Sequence, residues 1–213
     1  MLSEAALLSF AATLFSMMNP IGNIGVFAGL TSDISAAKSR RVAWTCAFSV
    51  VVTLTIVAWA GPGLLAFFGV TVDSLRAAGG LIVLLIGLHM LFNKSEHKHS
   101  SKELEDAQDR SSIAVVPLTI PIVAGPGTMT AVLVAAQQQP TVLTKIEISL
   151  VIVGFSVLVG LLFSFASPIA NRIGESGMGV VTRMMGIILA AFAMGMLAEG
   201  LTALLPGLAG PAN

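Results

Sequence analysis

Six stretches of the chain carry almost no charge: Ala5 to Leu30, Val42 to Phe68, Leu75 to Phe92, Ile113 to Ala136, Ile148 to Ile169 and Met178 to Leu204. Each approaches or exceeds the length of about 20 residues that a helix needs to cross a bilayer. A water-soluble domain has no use for six such runs. With 55% hydrophobic and 10% charged residues among 213, and a mean hydropathy of +0.92, the chain reads as an integral membrane protein. Strand alternation is absent while Leu, Ala, Met and Gly dominate, so the spans are expected to be helices and not the strands of a barrel.

Lys and Arg orient the spans. Nine of the eleven basic residues follow the first span, follow the third, or flank the turn from the fifth to the sixth, and only Arg76 and Lys145 fall on the other side. Positive charge marks the cytoplasmic face, which places both termini outside. The residues before Ala5 include no Lys or Arg, unlike a cleaved signal, so the first span is expected to remain as a helix. Trp44 and Trp59 stand 15 residues apart on the second span, about 22 Å along a helix, close to the spacing of the two interfacial belts.

The longest polar stretch, Asn93 to Ser112, splits the chain into residues 1–93, a cytoplasmic linker 94–112, and residues 113–213. Each outer part holds three spans. The third spans of the two parts both open on an Arg followed by a Gly, Arg76 with Gly79 and Arg183 with Gly186, an offset of 107. Pro20 in "NPIGN" precedes Pro126 in "AGPGT" by 106. If these units are homologous, an odd number of crossings inserts the second upside down, giving two inverted three-helix repeats.

The spans carry their own interruptions. Pro20 lacks an amide hydrogen and its ring clashes with the carbonyl four residues earlier, while Gly22 and Gly25 ease non-helical backbone. The first helix is expected to break there. The fourth is expected to break at Pro117, Pro121 and "AGPGT". Polar backbone cannot face lipid tails, so the two breaks are expected to face each other. Taken singly, each proline is equally well a tolerated kink, and Gly25 with Gly29 a packing device; together, paired interruptions in two halves point to a transporter's midplane binding site. Half-helix starts offer N–H groups to a carboxylate, and Asn19, Asn23, Thr128 and Thr130 add side-chain partners. No Asp, Glu, Lys or Arg lies near the centre of either broken helix, so the expected cargo is small and neutral or zwitterionic.

At "NPIGNIGVF", "VPLTIPIVAGPGTMTAVLV" and the two Arg-led third helices the chain resembles the MarC family of bacterial inner-membrane proteins, also called the neutral amino acid transporter family, over nearly its whole length. The resemblance implies a six-helix fold related to LysE-type exporters and a cargo of small neutral amino acids. It makes Asn19, Pro20, Gly22 and Asn23, with Pro121, Gly125, Pro126, Gly127 and Thr128, the positions matching family motifs.

The remaining signals are weaker. "HKH" at His97 to His99, near Glu96 and Glu103, fits a solvated linker better than a metal site. "GESG" at Gly174 to Gly177 falls in a basic turn and lacks a histidine partner in the later helices. Arg76 and Arg183 are candidates for gating the two mouths or for anchoring to headgroups.

The expected protein is thus an all-α secondary transporter with six transmembrane helices, helices 1 and 4 broken, in the bacterial inner membrane. It is not expected to be an enzyme and needs no cofactor or metal, although coupling to a proton or a sodium ion stays open. Its partners are the bilayer and the solute, not nucleic acid, with a homo-oligomer left open. The rival reading is a non-transporting membrane scaffold.

Overall fold

The computed structural model describes residues 3–92, 123–138, 140–205 and 207. Among them it holds seven helices and no strand: α1 (Glu4–Met18), α2 (Ile24–Leu30), α3 (Ala36–Phe68), α4 (Val72–Phe92), α5 (Pro126–Gln138), α6 (Val142–Ser164) and α7 (Ala166–Leu204). Starts follow from local chemistry. Ser3, Ser35 and Thr141 sit in extended backbone and their hydroxyls accept the amides of Ala6, Lys38 and Thr144, capping α1, α3 and α6. Gly69, at φ 66°, closes α3 in the left-handed conformation that glycine adopts without penalty.

Four helices, α3, α4, α6 and α7, are long and apolar enough to cross a membrane. The run expected as the first crossing is instead two pieces, α1 and α2, divided where Pro20 stands. Of the run expected as the fourth, only the part from Val123 is described, and it becomes helical at Pro126. Pro117, Pro121, the linker 94–112 and its histidines lie outside the described residues. Several boundaries differ from expectation: α3 begins at Ala36 rather than Val42, α6 runs from Val142 to Ser164 rather than from Ile148 to Ile169, and α7 begins at Ala166 rather than Met178. The expected basic turn survives as a kink: Gly174, at φ 74° and ψ 169°, leaves helical backbone and divides α7 into a short piece from Ala166 and the long piece that runs to Leu204.

Helices pack in three antiparallel pairs. α4 lies along α7, where Gly80 meets Ala193, Gly87 meets Gly186 and Gly200 meets Ala77, the α7 residues recurring every seven positions as in a left-handed coil. The approach is close enough that a Cβ on Gly80 would stand 2.7 Å from the Leu197 amide nitrogen, and one on Gly87 2.9 Å from that of Ala190. α3 lies along α6, with Gly160 against Trp44 at one end. At the other, the Trp59 indole donates to Ser149 Oγ at 3.1 Å and the Lys145 ammonium to the Trp59 carbonyl at 3.2 Å. α1 lies along α5, which also packs against α3 and α4, and α2 docks mainly on α7 while its Phe27 ring stacks on Phe163 of α6 with centroids 4.6 Å apart.

The main core joins α1, α2, α3, α5 and α6 around Leu14, Met18, Phe27, Leu54, Ile152 and Phe163. A second buried cluster, Met17, Val83, Ala131, Leu189 and Ala193, lies where α1, α4, α5 and α7 converge. Phe48, Ile56, Leu85 and Leu150 point outward, as lipid-facing side chains of membrane helices do.

Candidate functional site

The first interruption is organised by Asn19. Its backbone is left-handed, φ 46° and ψ 52°, the sole positive φ outside glycine among the described residues. Asparagine tolerates this conformation because its short amide bonds locally. Here Oδ1 accepts the Gly22 amide at 3.2 Å, and Nδ2 donates to the Met90 sulfur of α4 at 3.4 Å. Asn19 is 3% exposed and Pro20 is also buried. Gly22 is required by space, since a Cβ there would stand 2.5 Å from Asn19 Oδ1. Asn23 closes the turn by donating Nδ2 to the Met18 carbonyl at 3.1 Å.

The second interruption, Val123 to Gly125, is buried backbone that is not α-helical, and Pro126 opens α5 with its ring where no amide hydrogen is needed. Thr128 Oγ donates to the Val123 carbonyl at 2.9 Å and Thr130 Oγ to the Pro126 carbonyl at 2.8 Å. Gly127 fits beneath Val83 of α4 and the Met17 sulfur of α1, which is 3.1 Å from where its Cβ would be. The turn before Asn19 and the first turn of α5 are therefore neighbours. Apart from the Asn19 contact with Met90, the polar side chains of both interruptions nonetheless turn to their own backbones, and among the described residues no hydrogen bond joins the two breaks.

Open space lies on the terminal side of this junction, the end of the bundle that holds the start of α1 and the end of α7. A cavity of about 590 Å³ is bounded by α1, α5 and α7 together with Arg76 of α4. Its polar lining is Ser9, Thr13, Arg76, Gln138 and Glu199. Phe192, Met196 and Ala131 line it and also pack on or belong to the cluster around Met17 and Val83. That apolar cluster is the cavity floor and separates it from the interruptions below. A second, more open depression of about 700 Å³ adjoins it and shares Arg76, Val134 and Gln138.

Arg76 holds the rim. Its Nη1 lies 3.4 Å from Asp73 Oδ1 on the same helix and 3.6 Å from Glu199 Oε2 on α7. The local pairing with Asp73 was readable from an (i, i+3) spacing. Glu199 lies far from Arg76 in sequence, and its reach to Arg76 follows from the close approach of α4 and α7, at Gly200 and Ala77. Gln138, Ser9 and Thr13 carried no signal in the sequence. Arg183 is exposed in the first half of α7, far along that helix from the Arg76 rim. His89 is exposed in the last turn of α4. Among the described residues no group of three His, Cys, Asp or Glu is arranged to hold a metal ion.

Two buried hydroxyls, Ser16 on α1 and Ser156 on α6, have no hydrogen-bond partner among the described residues.

The family model described as "MarC family integral membrane protein" matches residues 5–205. The UPF0056 membrane protein YhcE of Escherichia coli is 32% identical over 200 residues, covering 93% of this chain and 93% of its own. YvbG of Bacillus subtilis is 32% identical over 196 residues, 91% and 93% of the two chains. An archaeal UPF0056 membrane protein, from Methanocaldococcus jannaschii, is 35% identical over 190 residues, 89% and 93%. No solved structure matches the chain. Motifs, apolar helices and relatives from bacteria and archaea agree, and the chain belongs to the MarC family of integral membrane proteins.

Proposed function

We propose that this protein is a secondary transporter of small neutral solutes, small neutral amino acids by family resemblance, residing in the inner membrane and working by alternating access. The observation that carries the reading is the meeting of two helix interruptions inside the bundle, beneath an open cavity and behind an apolar floor. Interrupted helices inside a membrane bundle are tolerated where protein or a wet cavity satisfies their backbone, and paired interruptions are the usual setting of a transporter's midplane site.

On this reading the cavity is the path from one side, and Met17, Val83, Ala131, Leu189 and Ala193 form the closed gate. The guest's carboxylate would then meet amides near Pro20 and at the start of α5, with Asn19, Asn23 and Thr128 exchanging their local bonds for bonds to the guest. The pairing of α1 with α5, α3 with α6 and α4 with α7 supports two three-helix units that rock against each other, because each first-unit helix contacts its counterpart. Among the described residues no aspartate or glutamate is buried, so a coupling proton or sodium ion would need ligands of another kind.

The scaffold reading draws on one observation: the polar side chains at both breaks are already satisfied locally. Proteoliposomes loaded for uptake and efflux of labelled alanine and glycine decide between them. Flux that Gly127→Leu abolishes supports transport, and absence of flux for every small neutral solute in both directions supports the scaffold.

A further inference from the structure

We infer that the rim of the terminal-side cavity is a capture subsite for zwitterions, with Arg76 as the carboxylate-binding group and Glu199, assisted by Asp73, as the ammonium-binding group. This deepens the transporter reading and rests on it only for the purpose of the capture.

Three features carry the inference. First, the cavity volume of about 590 Å³ falls within the range of small-ligand sites. Second, the Arg76 guanidinium is used by half: Nη1 makes both acidic contacts, and its other N–H groups make no hydrogen bond among the described residues. At 3.4 and 3.6 Å these contacts are longer than the about 2.7–2.9 Å of tight charge-assisted bonds, so a planar carboxylate presenting two oxygens has donors to take and a loose partner to displace. The arginine side chain is only 21% exposed, so its charge is less screened than a surface residue's.

Third, the local charge is unbalanced. One guanidinium faces two carboxylates, an excess of one negative charge, and the Glu199 side chain is 68% exposed, open to an incoming guest. A simple carboxylate arriving at Arg76 would meet that excess as repulsion. A zwitterion brings its own ammonium for the freed Glu199, with Gln138, Ser9 and Thr13 as neutral partners. The subsite therefore selects molecules carrying both charges over monocarboxylates and over simple amines, and it holds them above the gate.

The test uses the full chain with its sole cysteine replaced (Cys46→Ala) and a reporter at Gly195→Cys, a cavity-lining position where an added Cβ meets nothing within 4 Å. A membrane-impermeant maleimide labels the reporter in the presence of glycine, alanine, serine, propionate or ethylamine. The expected result is protection by at least one of the amino acids and none by propionate or ethylamine. Arg76→Gln and Glu199→Gln should each raise the half-protective concentration about tenfold, with Arg76→Lys recovering part of the loss. Equal protection by propionate, half-protection unchanged within about twofold in both variants, or no protection by any amino acid would overturn the subsite. Alanine flux on the same vesicles keeps the two ideas apart. Flux without protection retires the subsite alone, and protection without flux retires transport alone.

Discussion

Replacing Asn19 tests whether the first interruption is held by its own side chain. In Asn19→Ala, the left-handed backbone costs about 1 kcal/mol more with a methyl group than with asparagine or glycine. The Gly22 amide, bonded to Oδ1 at 3.2 Å in a buried site, is also orphaned, at about 1–3 kcal/mol. The sum is about 2–4 kcal/mol, or a fall of roughly 4–16 °C in melting temperature for a chain of this length. Asn19→Gly loses only the side-chain bonds, so it should melt about 2–4 °C above the alanine variant although glycine is the more flexible residue. Cys46, wholly buried in α3, supplies the assay: a thiol-reactive fluorophore reports its exposure as the purified protein is heated in detergent. Alanine and glycine variants melting together, or an alanine variant as stable as the wild type, would refute the argument.

Three further outcomes can be read with the same melt. Gly80→Val and Gly87→Leu put atoms where α7 backbone stands and should cost about 1–3 kcal/mol or more, whereas Gly154→Ala, with nothing within 4 Å of the new Cβ, should be neutral or slightly stabilising. Thr128→Val removes the bond to the Val123 carbonyl and should cost about 1 kcal/mol while loosening the second interruption, seen as faster amide exchange at Ala124 and Gly125. Ser156→Ala deletes a buried hydroxyl and should leave stability unchanged or raise it by up to about 1 kcal/mol; a clear loss would mean the hydroxyl is bonded.

Much of the architecture is written locally. A bilayer accepts only backbone that satisfies itself, so long uncharged runs become helices, and the ring of Pro20 with the freedom of Gly22 stops α1 within four residues whatever surrounds it. The same local rules misplace the start of α7. Ala166 to Ile173 contains nothing that forbids a helix and forms a short helical piece, and Gly174, the one residue that leaves helical backbone, kinks α7 between that piece and the long span.

What the sequence determined by itself was therefore the membrane class, the interruption at Pro20 and the start of a half-helix at Pro126. Only the tertiary structure decided that Asn19, Asn23 and Thr128 bond to their own turns, that an apolar floor lies between them and the cavity, and that Glu199 reaches Arg76. The reason is rotational. Apolar residues cover both the lipid-facing and the buried sides of these helices, so hydropathy alone does not fix which face turns inward. That is set by close contact at Gly80, Gly87, Gly186 and Gly200, where only a missing side chain lets α4 and α7 approach.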